Sequence, residues 1–436
     1  MHLQIPHQLN EGGLVALLPD GRVAFLHPSA KALIDEHNGR SSLLSVDFEE
    51  YIISSPWVDL NQFHLSAPAI VFVETTNLCN LRCKHCYAFS GPKRSNELTN
   101  SEIMTLLDQL ADAGVLQVFL TGGELFSHPA ALDIIKHART KPFSTQIFTN
   151  GLLISEKILA EIPPGQSFFV SFDTAVPERT IRGGMDFPTL RQCFLNMHKY
   201  GHVFRTAISV HTRNLDDVED IFQWCIDNHF PRPQWLETHP IGRALLNSDL
   251  LLQPSQVDHV ISIYKKCMDR FHKPASKNSA TGDLAVSIEQ PASSSIQSVQ
   301  TIKFCQQIER ATGQEKCGRS VAYVRSDGEV FPCSNCMSND MYGAGNIREK
   351  SFLEIWESGF NDFRSITFAD HQVCKECPVS AADIWCQFRC PPLANNVSKD
   401  SKGCGATEYL RLFMVESDKY WKQKRQNGFR LVLNPI

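Results

Sequence analysis

The stretch VETTNLCNLRCKHCYAFS, residues 73–90, sets Cys79, Cys83 and Cys86 in a C-x3-C-x2-C array directly behind an apolar run. A [4Fe-4S] cluster normally takes one thiolate on each iron, so three thiolates hold three irons and leave the fourth open to an exogenous chelate. A structural zinc site wants four closed ligands, and the one nearby candidate, His85, lies between two of the cysteines, where it cannot easily reach the same ion. Spacing therefore favours an open cluster, with a zinc site or an unligated core trio as the competing readings.

Outward from this loop, strand-like and helix-like runs alternate. AIVFVETT, VLQVFLTGGE, STQIFTNG, SFFVSFDT, FRTAISVHTRN and RPQWLETHPIGRA are β-rich and bounded by Gly, Asn, Thr or Pro. SEIMTLLDQLADAG, PAALDIIKHA, PTLRQCFLNMHKYG and DDVEDIFQWCIDN carry apolar residues at helical spacing. Six strands alternating with helices predict an α/β fold with a parallel sheet, closed or partly closed as a barrel. In such folds chemistry collects where strands end. The polar signatures fall there: Cys79 after the first strand, GGE after the second, TNG after the third, SFD after the fourth.

The three-cysteine loop followed in order by Gly122, Gly123 and Glu124 resembles the radical S-adenosylmethionine (SAM) superfamily over about residues 68–245. The resemblance implies a partial (β/α)6 TIM-like barrel whose open iron is chelated by the amino and carboxylate groups of SAM. Reductive cleavage would then give a 5'-deoxyadenosyl radical that abstracts a hydrogen atom. It implies these SAM contacts: His85 near adenine, Gly122, Gly123 and Glu124 along the methionine amino group, Asn150 in the same pocket, Ser171 and Asp173 towards ribose or carboxylate, and Arg191 as the carboxylate's cationic partner. His239–Ala244 (HPIGRA) resembles the strand end that closes over adenine.

The chain has 15 cysteines, and nine of them lie between residues 305 and 404. Cys317-x10-Gly328-x4-Cys333, then Cys374-x2-Cys377-x8-Cys386-x3-Cys390, then Cys404, resembles the SPASM extension of peptide-maturing radical enzymes. An interval of five is usual where eight separate Cys377 and Cys386. One open cluster needs three thiols and two closed auxiliary [4Fe-4S] clusters need eight, whereas the two fields offer twelve. By resemblance the first auxiliary cluster takes Cys317, Cys333 and Cys390 with Cys305 rather than Cys336, and the second takes Cys374, Cys377, Cys386 and Cys404. Cys193, Cys225 and Cys267 read as buried small hydrophobes.

At 436 residues the chain is long enough for two or three domains. The reading divides it into an N-terminal module (1–66), the partial barrel (67–246), a helix and flexible linker (247–300), a Cys-rich, loop-rich iron-sulfur domain (301–410) and a C-terminal helix and tail (411–436). In the first, GGLVALLPDGRVAFLHPSAKALIDEHNG predicts a hairpin turned by PDG and a helix from Ser29 to Gly39. This small α+β module weakly resembles the PqqD-like fold that binds leader peptides.

Apolar residues make up 42% and charged residues 20% of a chain with net charge −5. No basic surface for nucleic acid, no 18-residue apolar run for a membrane and no signal peptide at MHLQIPHQLNEGG are evident. A cytoplasmic protein is expected. The resemblance implies a ribosomally made precursor peptide with a leader as substrate, and an electron donor such as flavodoxin or ferredoxin. Two alternatives compete. A sulfatase-type maturase would carry Asp after the cysteine of the DGxVxPC segment, where this chain has Ser334; a non-catalytic iron-sulfur scaffold would have no use for GGE.

Overall fold

The computed structural model describes residues 4–8, 14–17, 23–26, 64–271, 316–365, 376–382 and 406–426. Three short strands, β1 (Gln4–Gln8), β2 (Leu14–Leu17) and β3 (Val23–Leu26), form an antiparallel sheet at the N-terminus. The β2–β3 pairing is the hairpin expected around PDG; β1 adds a strand that the sequence reading did not include. The helix expected from Ser29 lies outside the described residues.

The main sheet is built from β4 (Ile70–Glu74), β6 (Gln117–Thr121), β7 (Ser144–Thr149), β8 (Ser167–Ser171) and later strands, while the two-residue β5 (Arg82–Cys83), between β4 and β6, pairs outside it with β9 (Arg182–Gly183). β10 (Val203–Val210) and β11 (Gln234–Glu237) follow. Between and after them run α1 (Asn100–Asp112), α2 (Ala131–Arg139), α3 (Glu156–Glu161), α4 (Phe187–Lys199), α5 (Val218–Asp227) and α6 (Val257–Phe271). β4, β6, β7, β8, β10 and β11 are all parallel neighbours, the six-stranded part-barrel anticipated from the alternation.

The sheet does not stop at β4. β12 (Val321–Val324) pairs parallel to β4, with Tyr323 opposite Phe72, and β13 (Val330–Phe331) closes antiparallel onto β12. The Cys-rich half thus shares the barrel's sheet. After it come α7 (Phe352–Ser358) and α8 (Glu408–Gln426).

Residues alternate in facing across each strand. One set, Val71, Val73, Val118, Leu120, Ile147, Phe168, Val170 and Ile208, packs with Ile103, Leu106, Leu107 and Leu110 of α1, Ile134 and Ile135 of α2 and Leu190 and Phe194 of α4. Fully burying each such side chain contributes about 1.5–3 kcal/mol. The other set puts aromatics below and polar groups above: Phe72, Phe119, Phe148 and Phe169 pack in series, tilted or edge-on, with centroids 4.6, 5.3 and 4.9 Å apart. Thr121, Asn150 and Ser171 follow Phe119, Phe148 and Phe169 by two residues, and Ser209 follows Ala207 on β10. Cys193, Cys225 and Cys267 are buried in the apolar core, as expected. No helix among the described residues is long and apolar enough to cross a membrane.

Candidate active site

The loop after β4 is held by the protein before any metal is considered. Thr76 Oγ1 and the Asn77 N–H donate to the Glu97 carboxylate at 2.8 and 2.7 Å. The Cys79 N–H donates to the Gly91 carbonyl, and the Gly91 N–H returns to Asn77. On the far side β5 pairs with β9, setting Cys83 opposite Arg182. Arg243 donates from Nε to the Cys83 carbonyl at 2.7 Å and from Nη1 to the Ser90 carbonyl at 2.9 Å.

Glycines permit this packing. A Cβ on Gly123 would lie 2.5 Å from the carbonyl oxygens of Asn77 and Leu78, and one on Gly242 would lie 2.4 Å from the Cys86 carbonyl. Gly242, at φ +55, also adopts a conformation costly for other residues. GGE and HPIGRA are therefore in direct contact with the cysteine loop, at its two ends.

Cys79, Cys83 and Cys86 line one cavity of about 310 Å³ at the mouth of the part-barrel. That size falls within the range of small-molecule sites, roughly 300–1,000 Å³. His85, Gly122, Gly123, Asn150 and Ser171 line it as well, with Phe72, Phe148 and Phe169 beneath. His85 Nδ1 and Ser90 Oγ, both in lining residues, are buried without a hydrogen-bond partner. Buried polar atoms left unpaired cost about 1–3 kcal/mol each, so the cavity is suited to a ligand that carries polar groups. Burial lowers the His85 pKa to about 3, leaving a neutral imidazole.

Three expected SAM contacts stand elsewhere. Glu124 is buried below the cavity, where it accepts from Thr149 Oγ1 (2.8 Å), the Asn150 N–H (2.7 Å) and the Phe126 N–H (3.2 Å). Burial raises its pKa to about 6. It ties the end of β7 to the GG turn, placing Asn150, whose Nδ2 donates to Asn80 in the cysteine loop. Asp173 is also buried, committed to Arg182 Nε (2.5 Å) and Nη2 (3.1 Å) and to the Ser209 N–H (2.8 Å). Burial opposes its ionisation, but the Arg182 charge outweighs this and holds the carboxyl below the usual range.

Arg191 is corrected outright. It lies exposed on the face of α4 opposite the buried Leu190, Phe194 and Met197, and it does not line the cavity. Among the described residues the cations there are Arg182 and Arg243, and Arg182 also reaches Cys83 Sγ at 4.0 Å. Arg182, Tyr87 and Ser209 line the cavity and were not among the expected residues; Arg243, which also lines it, belongs to the HPIGRA segment expected there. No Asp or Glu is among the described lining residues, and Ser334 reaches the cavity from the segment after β13.

Burial pushes the Cys83 thiol up to about 11, with Arg182 pulling the other way, and also raises Cys79. Iron binding must therefore displace protons, as metal–thiolate sites do. No three Cys, His, Asp or Glu among the described residues converge on a single ion. A loop whose three thiols share a cavity wall without converging on one ion fits a polynuclear cluster better than zinc. In the second cysteine field, Cys317, Cys333 and Cys336 are buried together beside Tyr323 and Phe331. Cys377 is half-buried, while Cys305, Cys374, Cys386, Cys390 and Cys404 lie outside the described residues.

Residues 73–225 match the Radical SAM superfamily, and residues 316–378 match the SPASM iron-sulfur cluster-binding domain. The chain is 26% identical to the AdoMet-dependent heme synthase of Methanosarcina barkeri over 301 residues, 67% of this chain and 83% of that protein. It is 23% identical to the PqqA peptide cyclase of Bradyrhizobium diazoefficiens over 374 residues, 81% of this chain and 90% of the relative. Among solved structures it resembles Streptococcus suis SuiB bound to S-adenosylmethionine, with TM-score 0.65 at 15% identity, covering 94% of this chain and 100% of SuiB. SuiB bound to the precursor peptide SuiA gives TM-score 0.64 at 14% identity with the same coverage.

Proposed function

With a radical SAM domain over residues 73–225 and a SPASM domain over residues 316–378, we propose that this chain is an enzyme that modifies a ribosomally made precursor peptide. The observation that carries the reading is the extent of likeness. The PqqA cyclase match spans 81% of the chain, and the SuiB fold spans 94%.

Cys79, Cys83 and Cys86 would hold a [4Fe-4S] cluster, and SAM would occupy the cavity beside them. When bound, the pair supplies one-electron cleavage of a sulfonium and a hydrogen-abstracting radical. The chain's own part is placement. Gly122 and Gly123 let the end of β6 pack directly on the cysteine loop at the cavity wall, Asn150 and Ser171 offer polar edges, and His85 Nδ1 and Ser90 Oγ offer unpaired ones. Arg182 sets positive charge beside Cys83, which favours the anionic thiolate of a ligated cluster. Phe72, Phe148 and Phe169 below make the floor apolar.

Ser334 weighs against a formylglycine-type maturase, because a serine hydroxyl is no base at neutral pH and no carboxylate is among the described lining residues. The likeness to the heme synthase, and to a Methanosarcina barkeri Fe-coproporphyrin III synthase that matches 80% of this chain, supports a second reading, a tetrapyrrole substrate; the fold shared with peptide-bound SuiB over 94% of the chain favours the peptide. An acidic electron carrier such as flavodoxin or ferredoxin is the proposed reductant. The need for reduced thiols favours a cytoplasmic setting.

The N-terminal sheet would take a leader by strand addition, in which main-chain hydrogen bonds supply affinity. Deleting residues 1–60 separates the readings. The cut leaves Leu65, whose N–H donates to the Arg319 carbonyl and whose carbonyl accepts from Trp356 Nε1. Expressed with the short peptides encoded beside the gene, the truncated enzyme should cleave SAM as before while the mass shift on the peptide disappears. Peptide modified at the wild-type rate by soluble truncated protein would rule out leader capture.

A further inference from the structure

We propose that Glu74 takes up the proton that the substrate loses in the cavity, reached through the hydroxyls of Tyr87 and Tyr323. This rests on the peptide-modification reading and commits it to a net two-electron oxidation. The substrate loses two hydrogen atoms in all. One leaves whole, abstracted by the radical; the other leaves as an electron, accepted by an auxiliary [4Fe-4S] cluster, and a proton, which comes from the oxidised residue or from the group that bonds to it.

The structure provides an ordered path for that proton. Tyr87 lines the cavity, and its hydroxyl is in hydrogen-bonding contact with Thr121, another lining residue, and with the Tyr323 hydroxyl. Tyr323 stands on β12 and donates to Glu74 Oε2 at 2.8 Å. A phenol has one hydrogen to give, so Tyr323, which gives its own to Glu74, accepts from Tyr87. Both bonds therefore run in one direction, from the cavity to the carboxylate. A proton entering at Tyr87 shifts each bond along by one position and ends on Glu74, and both tyrosines are neutral before and after.

Glu74 is placed to hold it. It ends β4 opposite Thr121, and both Glu74 and Tyr323 are 0% exposed. Ser326 Oγ donates to Glu74 Oε1 at 2.7 Å, and Arg94 Nη2 stands 3.5 Å from the same oxygen. These groups support the anion at rest. Burial nonetheless raises the pKa above the ordinary carboxylate value, against the Arg94 charge and the Ser326 and Tyr323 hydroxyls, which makes Glu74 a stronger base than a carboxylate in water.

The test uses full-length holoenzyme in wild-type, Glu74→Gln, Glu74→Asp and Tyr323→Phe forms. Each is incubated anaerobically with SAM, a one-electron reductant and the short peptides encoded beside the gene. The readout is product peptide formed per 5'-deoxyadenosine released, because a change that merely disturbs packing lowers both together. The wild-type product should be lighter by two hydrogen atoms. Glu74→Gln and Tyr323→Phe should each lower the ratio by about 10²-fold, a usual contribution of a placed proton acceptor. Tyr323→Phe removes only the hydroxyl, which covers a failure of the glutamine variant to fold. Glu74→Asp keeps a carboxyl and should recover part of the ratio. An unchanged ratio in soluble Glu74→Gln or Tyr323→Phe protein would overturn the inference, as would a wild-type product with altered retention and unaltered mass. Wild type that releases 5'-deoxyadenosine yet alters none of the peptides would instead overturn the peptide-modification reading.

Discussion

Replacing Cys79, Cys83 and Cys86 together with alanine should leave a folded protein that has about four irons fewer per chain and no SAM cleavage. Folding survives because the loop is fixed by groups other than the thiols. Glu97 holds Thr76 and Asn77, Gly91 pairs with Cys79 through the backbone, and Arg243 binds the carbonyls of Cys83 and Ser90. Of the three side chains only that of Cys83 is buried. Activity is lost completely because no other cysteine is among the described lining residues. Iron analysis of anaerobically reconstituted protein, with far-UV circular dichroism as the control for folding, checks both halves. An unchanged iron count would show that the loop holds no cluster.

Arg182→Met should cost about 3–5 kcal/mol of stability near neutral pH, the usual consequence of stripping one partner from a buried ion pair. Arg182 gives Asp173 two hydrogen bonds, and the side chains are 10% and 1% exposed. In the wild type the Asp173 pKa is depressed in the folded state, so its contribution is present above the unfolded pKa and is lost as pH falls through the folded one. Without Arg182, burial, the largest influence on Asp173, is opposed only by the Ser209 N–H and His85, and that pKa moves upward. The variant's deficit should therefore shrink as pH falls from 7 towards 4. Denaturant midpoints at the two pH values read this directly, and adding Asp173→Asn to Arg182→Met should recover much of the loss by removing the buried charge. A loss of under about 1 kcal/mol at pH 7 would mean that the pair is not what anchors β9 beneath Cys83.

The parts legible in the sequence were those with a local signal. Each of the six barrel strands carries its own β-rich run and turn residues, and the cysteine loop and GGE announce themselves by spacing. β12 was missed as a barrel strand because VAYV says only that it is a strand; its pairing with β4 joins residues some 250 apart. Arg182 was missed for a related reason. It sits in IRGGMD, which has no periodicity, and its importance comes from Asp173 and Cys83 meeting it in space. Arg191 looked better by position, yet helical geometry carries it to the outer face of α4. Glu124 was rightly drawn to the site, but its carboxylate satisfies backbone at the end of β7, so it shapes the cavity from behind.

The most direct measurement is SAM turnover itself. Anaerobically reconstituted full-length enzyme, incubated with SAM and a strong one-electron reductant, is assayed by mass spectrometry for 5'-deoxyadenosine and methionine. A radical SAM site at the cavity predicts both products in equal amounts, dependent on reductant and absent from the Cys79, Cys83 and Cys86 triple variant. Protein carrying its full complement of iron that leaves SAM intact under these conditions would contradict it.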